Sequence, residues 1–175
     1  KAAGVKHFIY QSALGTRAGA ASEYHRTKYE AEKLVRASGI PFTIVRPSLI
    51  YGPGDQFTLR LADAIKLSPV LPVIGTGRSR VQPIYIEDVA SCFVKLVAGG
   101  EHLNKTYEIA GQEELTYEEV TKAIAAALGV NRPTVHMPMF FMQTMAKVAE
   151  TVLPKPPVTT DQLIMMQEDN VTAHN

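Results

Sequence analysis

Two tyrosine–lysine pairs lie within the stretch "SEYHRTKYEAEK" (22–33): Tyr24 with Lys28, and Tyr29 with Lys33. A phenol near its reference pKa of about 10 is a poor acid or base at neutral pH. A cation one helical turn away stabilises the phenolate and draws that pKa toward the working range. Such a pair on a helix can exchange a proton with an alcohol or ketone oxygen. Seven tyrosines and ten lysines in 175 residues also produce the spacing by chance, so position must choose between them. At about 100° per residue, Tyr29 lies roughly 140° around the helix from Tyr24, and the two pairs cannot face one site. Tyr24 and Lys28 continue through Ala31 and Val35, a stripe suited to lie against a sheet. Tyr29 and Lys33 share their side with Glu32 and Arg36, which reads as a solvated face. Tyr24 with Lys28 is therefore the chemical candidate, and the other pair reads as surface. Ser12 stands at the end of the preceding strand, where ligand sites of α/β proteins collect. Its hydroxyl could hold a substrate oxygen beside the tyrosine.

The elements that must position these groups alternate along the chain. "HFIYQSAL" (7–14) reads as a strand covered on both faces. A helix follows from Glu23 to Ser38, with Ser22 as N-cap and Gly39 as its stop. "PFTIVRPSLIYG" (41–52) is a second buried strand, broken at Pro47, and "GPGD" (52–55) is a loop. Asp55 can cap a helix to Leu67; "VLPVIGTG" and "RVQPIYI" read as short strands. Asp88 is placed as the N-cap of "VASCFVKLVA", closed by Gly99 and Gly100. "TYEIAG" (106–111) is a strand. Thr116 and Glu119 form a capping box for a helix burying Val120, Ala123, Ile124, Ala127 and Leu128 before Gly129. "TVHMP" is a short strand and "MFFMQTMAKVAETVL" a helix. "PKPP" (154–157) is a stiff connector, and "TTDQLIMMQEDN" a last helix. Strands alternating with helices imply βαβ units and a parallel sheet of four or five strands. Residues 1–111 are assigned to this sheet with its helices, and 112–175 to a small helical cap packed on it.

Composition excludes several classes. The 18 basic and 17 acidic residues nearly cancel, with no basic cluster, so nucleic acid is not the expected partner. Cys92 is alone, which leaves no disulfide framework and points to a reducing compartment; its apolar helix face makes it a core residue. His7, His25, His102, His136 and His174 are scattered, with no metal-ligand spacing. No apolar run approaches about 18 residues. The reading is cytoplasmic, or peripheral to a membrane. Arg46 and Arg80 fit either contact with phosphate or substrate, or structural pairing with carboxylates. The methionines at 137, 139, 142 and 145, with Phe140, Phe141, Met165 and Met166, form a soft apolar cluster. It reads as core or subunit packing, with an apolar substrate pocket or a membrane partner as the alternative.

Five blocks occur in order: "YQSALG", "YHRTKYEAEK", "FTIVRPSLIYGPGDQF", "VQPIYIEDVA" and "YEIAGQEELTYEEV". Together, over residues 4–138, they resemble extended or atypical short-chain dehydrogenase/reductases. They are most similar to the NAD-dependent epimerase/dehydratase-like group that includes the nucleotide-binding accessory subunit of respiratory complex I. The resemblance implies a Rossmann-like fold binding NAD or NADP, with Tyr24 as acid/base, Lys28 on the nicotinamide ribose and Ser12 positioning substrate. It places Pro47, Ser48 and Leu49 along the nicotinamide. It implies an oxidoreductase or epimerase acting on a small molecule, or a non-catalytic nucleotide-binding subunit of a membrane-associated complex. Members begin with a strand and a glycine-rich turn. Here "GTG" (75–77) has Arg80 where a third glycine should be, and "GPG" (52–54) has Phe57. The chain opens with Lys1 and reaches a strand within ten residues. It therefore reads as the C-terminal half of the fold, without the dinucleotide-binding half and inactive alone. Its open sheet edge invites a second copy or another edge-pairing partner.

Overall fold

The computed structural model describes residues 4–99, 101–154 and 156–173; Lys1, Gly100, Lys155 and His174, which figured in the sequence reading, lie outside the described residues. The element order is β1 (Phe8–Gln11), α1 (Glu23–Ala37), β2 (Phe42–Pro47), β3 (Ile50–Tyr51), α2 (Gln56–Leu67), β4 (Leu71–Ile74), β5 (Arg80–Val81) and β6 (Ile84–Tyr85). Then follow α3 (Ile86–Ala98), β7 (Lys105–Ile109), β8 (Leu115–Thr116), α4 (Tyr117–Ala127), β9 (Thr134–Met137), α5 (Met139–Val152) and α6 (Thr160–Met165). The fold class is the expected one, α/β with parallel pairing and flanking helices. The division is not a single cut after residue 111. One unit takes 1–50, 82–113 and 170–175, and the other takes 51–81 and 114–169.

In the first unit, β1, β2 and β7 form a three-stranded parallel sheet in that order, fewer than the four or five strands expected, because the remaining short strands pair separately in twos. β2 is central, and Thr43, Ile44 and Val45 are almost wholly buried. Phe42 and Ile44 pack with Val35 of α1, and Tyr10 lies against them. β1 is less covered than its apolar run suggested: it is the sheet edge, and Phe8 is exposed. The parallel register Gln11 opposite Val45 continues past the strand, with Ser12 N donating to Val45 O at 2.7 Å and Leu14 N to Pro47 O at 2.9 Å. Gly111, after β7, passes so close to Pro83 that an added Cβ would meet its carbonyl oxygen at 1.9 Å. Any larger residue there would push the two segments apart.

α3 starts earlier than expected. Its N-cap is Tyr85, in extended conformation and without a side-chain cap, because β6 runs straight into the helix. Asp88 therefore sits inside the first turn with Glu87, where a negative charge still favours the positive end of the helix. Cys92 is half-buried, not core.

The second unit pairs β4 with β9 in parallel and β5 with β8 antiparallel. α2 and α4 cover β4 through Ile65, Leu71 and Ala125, with Leu61, Ile124 and Leu128 around them. The Thr116–Glu119 capping box is present, but α4 buries Val120, Thr121 and Ala125, while Ala123 and Ala127 face outward. A second capping box, Thr159 with Gln162, starts α6, which ends at Met165, well short of the run through residue 170. The methionine–phenylalanine cluster is not core packing within this unit. On α5 only Ala146 is buried, and Phe140 is 74% exposed, with Phe141, Met145, Val148 and Val152 also exposed. No helix among the described residues is long and apolar enough to cross a membrane.

Burial pushes the phenol of Tyr117, packed edge-on against Phe57, up to about 12 from its ordinary 10.0. The folded state thus favours the protonated phenol. That stability is fully present below pH 10 and is lost as pH rises toward 12. Urea midpoints measured across this range should fall with rising pH, and Tyr117→Phe should make the fall shallower.

Candidate active site

Ser22 sets the entry of α1. Its hydroxyl accepts from His25 N at 3.2 Å and bonds His25 Nδ1 at 2.9 Å, so the helix begins with a fixed first turn. His25 is buried against the loop at Gly15, which has φ +89° and where a Cβ would lie 3.1 Å from His25 Cε1. The His25 and Tyr24 rings stand 5.4 Å apart at 60°. The tight turn therefore buries His25 and leaves Tyr24 at the rim, 40% exposed.

Lys28 follows one turn later. Its Nζ donates to the Gln11 carbonyl at the end of β1 at 3.0 Å, and lies 5.3 Å from the Tyr10 ring centre and 5.7 Å from that of Tyr24. Within its own pair, Lys33 approaches the Tyr29 ring almost as closely, at 5.9 Å. What separates the pairs is the strand: Lys28 bonds across to β1, whereas Lys33 bonds only to Glu30, both well exposed. Helix spacing alone makes both pairs, and only one is docked at a strand end.

The tyrosine is not tuned downward as expected from the lysine. Burial raises the Tyr24 pKa above 10.0, and the Tyr10 phenol beside it adds to the rise. Burial likewise raises Tyr10, with the Glu32 carboxylate opposing its ionisation.

Ser12 is 1% exposed. Its Oγ lies 3.3 Å from Thr16 Oγ1, and its single proton serves either that oxygen or the Glu32 carboxylate. Ser12 thus adjoins Gln11 and the lysine, but its hydroxyl is committed beneath the site. Pro47 and Ser48 are buried at the end of β2 and Leu49 is half-buried. Ser48 Oγ lies 2.6 Å from Asn170 Oδ1 and 2.9 Å from Asn170 O, either of which can accept its one proton, while Asn170 Nδ2 donates to Leu14 O at 3.0 Å. Asn170 therefore ties the ends of β1 and β2 together.

The largest departure from the sequence reading is Glu32. It does not share a solvated face with Tyr29 and Lys33; it is 1% exposed. Arg46 of β2 donates to it twice, Nε to Oε1 and Nη2 to Oε2, both at 2.8 Å, and Arg36 reaches Oε2 at 3.3 Å. Burial pushes the carboxyl pKa up, but hydrogen bonds from Arg46 and Ser12, the Arg46 charge and a bond from Arg36 outweigh it. The group stays below the ordinary carboxylate value. Arg46 also approaches Glu108 at 3.5 Å. In the other unit, Arg80 grips Asp169 through Nε and Nη2 and bonds Glu114 at 2.8 Å. Both arginines are thus paired structurally. The sequence reading places Glu32 on a solvated face and His25 among scattered histidines and gives Tyr10 and Asn170 no role; an acidic residue at i+4 from Lys28, with an arginine in the next strand, is the available signal for Glu32.

Among the described residues no group of His, Cys, Asp or Glu could hold a metal ion. The donor set at Lys28 suits the ribose of a nicotinamide dinucleotide. An ammonium has three N–H donors, and Gln11 takes one here.

A parallel sheet with helices against it, and a lysine bonded to the end of its edge strand, defines an α/β protein. The chain belongs to the NAD-dependent epimerase/dehydratase family, whose model matches residues 4–110. It is 28% identical, over 98% of its length, to NADH dehydrogenase (ubiquinone) 1 alpha subcomplex subunit 9, mitochondrial, of Arabidopsis thaliana, and spans 45% of that protein. It is 35% identical, over 79% of its length, to the ceramide reductase of Caulobacter vibrioides, spanning 43% of it. The chain thus spans less than half the length of these relatives. Its fold is similar to that of the Citrobacter sp. triphenylmethane reductase complexed with NADP(H), with a TM-score of 0.72, 19% identity, and coverage of 98% of this chain and 59% of that one.

Gly15→Ala should strain a backbone at φ +89° and crowd His25. A loss of about 1–3 kcal/mol in chemical unfolding is expected. Tyr24 fluorescence or chemical shift should change with it.

Proposed function

We propose that this chain carries the acid–base part of a NAD- or NADP-dependent oxidoreductase or epimerase acting on a ketone or alcohol. The observation behind the proposal is the docking of Lys28 on the Gln11 carbonyl between the rings of Tyr10 and Tyr24. Tyr24 carries its proton at neutral pH, and because burial raises its pKa, donation depends on the Lys28 ammonium stabilising the phenolate as it forms. Its rim position lets its hydroxyl give a proton to a substrate carbonyl oxygen. The Lys28 ammonium stabilises the phenolate left behind and holds the ribose hydroxyls with its remaining N–H groups. When bound, the nicotinamide supplies or accepts the hydride. Ser12 and Ser48 serve the site from beneath, through Thr16, Glu32 and Asn170, while Leu49 and Pro47 wall it at the end of β2.

A second reading is a non-catalytic nucleotide-binding subunit of a membrane-associated complex. The similarity to a respiratory NADH dehydrogenase subunit favours it, as does the exposed apolar face of α5. In this reading α5 would be a contact surface and the protein peripheral to a membrane. The open edge of β1 suits a second copy of the chain in either reading.

Tyr24→Phe in the full-length protein separates the two. NADH or NADPH oxidation against a panel of ketones should fall by about 10²–10⁴-fold with folding intact. Unchanged turnover would sink the enzymatic reading. Lys28→Met should weaken NADH or NADPH binding, measured by dinucleotide fluorescence, with little effect on melting temperature.

A further inference from the structure

Glu32 is the only Asp, Glu, Lys or Arg among the described residues whose side chain is almost wholly buried. A buried ion pair contributes little net stability, and a well-packed apolar pair often does as well or better. Its distinguishing property is direction. Two parallel bonds of 2.8 Å from Nε and Nη2 of Arg46 to the two oxygens of Glu32 fix both the distance and the orientation of the carboxylate. Apolar side chains at the same positions could slide.

The grip lies one helical turn past Lys28, and Lys28 lies one turn past Tyr24. A helix rises about 1.5 Å per residue as a rigid rod, so a shift of α1 along β2 reaches Lys28 and Tyr24 undiminished. Every element around the carboxylate is engaged with it. α1 contributes Arg36, β2 contributes Arg46, and Ser12 reaches it from beyond β1. Arg46 is itself flanked by Glu108 of β7, which accepts from Thr172 Oγ1 at 2.7 Å. On β1, Tyr10 feels the Glu32 charge and forms the ring platform under Lys28.

We infer that Glu32, gripped by Arg46, is a positioning residue that fixes where along β2 helix α1 sits, and through it where Lys28 and Tyr24 stand at the strand ends. The inference rests on the acid–base reading for its catalytic consequence, but its effect on dinucleotide binding through Lys28 does not require turnover.

The test uses the full-length protein with NADH and NADPH as probes. Glu32→Leu combined with Arg46→Met removes both charges at once. This double variant should melt near the parent temperature yet bind dinucleotide and oxidise it with ketones about 100-fold less well, as expected for a misplacement of about 1 Å. Arg46→Lys keeps the charge and loses the two-point grip, so it folds with Glu32 still paired and should show an intermediate loss of about tenfold. Glu32→Asp, which keeps both charges, should recover more binding than the double variant. Parental affinity and rate in a folded double variant, or in Arg46→Lys, would overturn the inference and leave the pair as a structural tie alone. Tyr24→Phe measured in parallel keeps the two ideas apart. If Tyr24→Phe turns over normally, the acid–base reading fails, and the positioning role is decided by dinucleotide affinity in the Arg46 and Glu32 variants.

Discussion

Two parallel neighbouring strands cannot be joined by a turn. The chain that leaves the end of β1 must travel back to the beginning of β2, and α1 is that return path. The helix therefore starts where the strands finish. Its first two turns, with Tyr24 and Lys28, come to lie beside Gln11 and Ser12 because of connectivity alone. The Lys28 bond to the Gln11 carbonyl, the Ser22 cap and the His25 packing at Gly15 then settle the details of a meeting that topology had already arranged.

Much of this is legible in the sequence. Apolar runs, Ser22, Asp55 and the Thr116–Glu119 box placed the strands and helices close to where they lie. Of the two tyrosine–lysine pairs, the one whose stripe suits a sheet is the one whose lysine bonds the end of β1. Helix phase carried that choice, but slightly rotated: the buried centre of α1 runs through His25, Glu32 and Val35, with Tyr24 at its rim. Periodicity treats a glutamate as a solvated residue because an unpaired one must be. It cannot see that an arginine fourteen positions later, on another element, will meet it. Of the readings of α5, only packing into this unit's own core fails, and for a related reason. Apolar pattern reports that a face seeks cover, not that the same unit supplies it. The tyrosine pKa was misjudged because the sequence shows the lysine and not the burial.

The arginines illustrate how carboxylates divide the work. Arg46 is half-buried and lies between Glu32 and Glu108, whereas Arg80 is half-exposed and bridges Asp169 and Glu114. The first holds a helix to a sheet in a place where water cannot substitute for either partner. The second joins β5 to the segment before Asn170 at the surface, where such pairs are worth little individually. The same residue type thus serves orientation in one unit and ordinary surface pairing in the other.

The first unit is assembled from stretches far apart in the chain, and the last of them has a temporal meaning. Asn170 bonds Leu14 and Ser48, and Thr172 bonds Gln82 and Glu108. During synthesis, the strand ends that carry the site are made before the second unit and stay incompletely tied until it is complete. Only when the ribosome has delivered the chain as far as Thr172 can the first unit close. A stalled or prematurely ended translation product would carry Tyr24 and Lys28 but lack the clasp across the ends of their sheet.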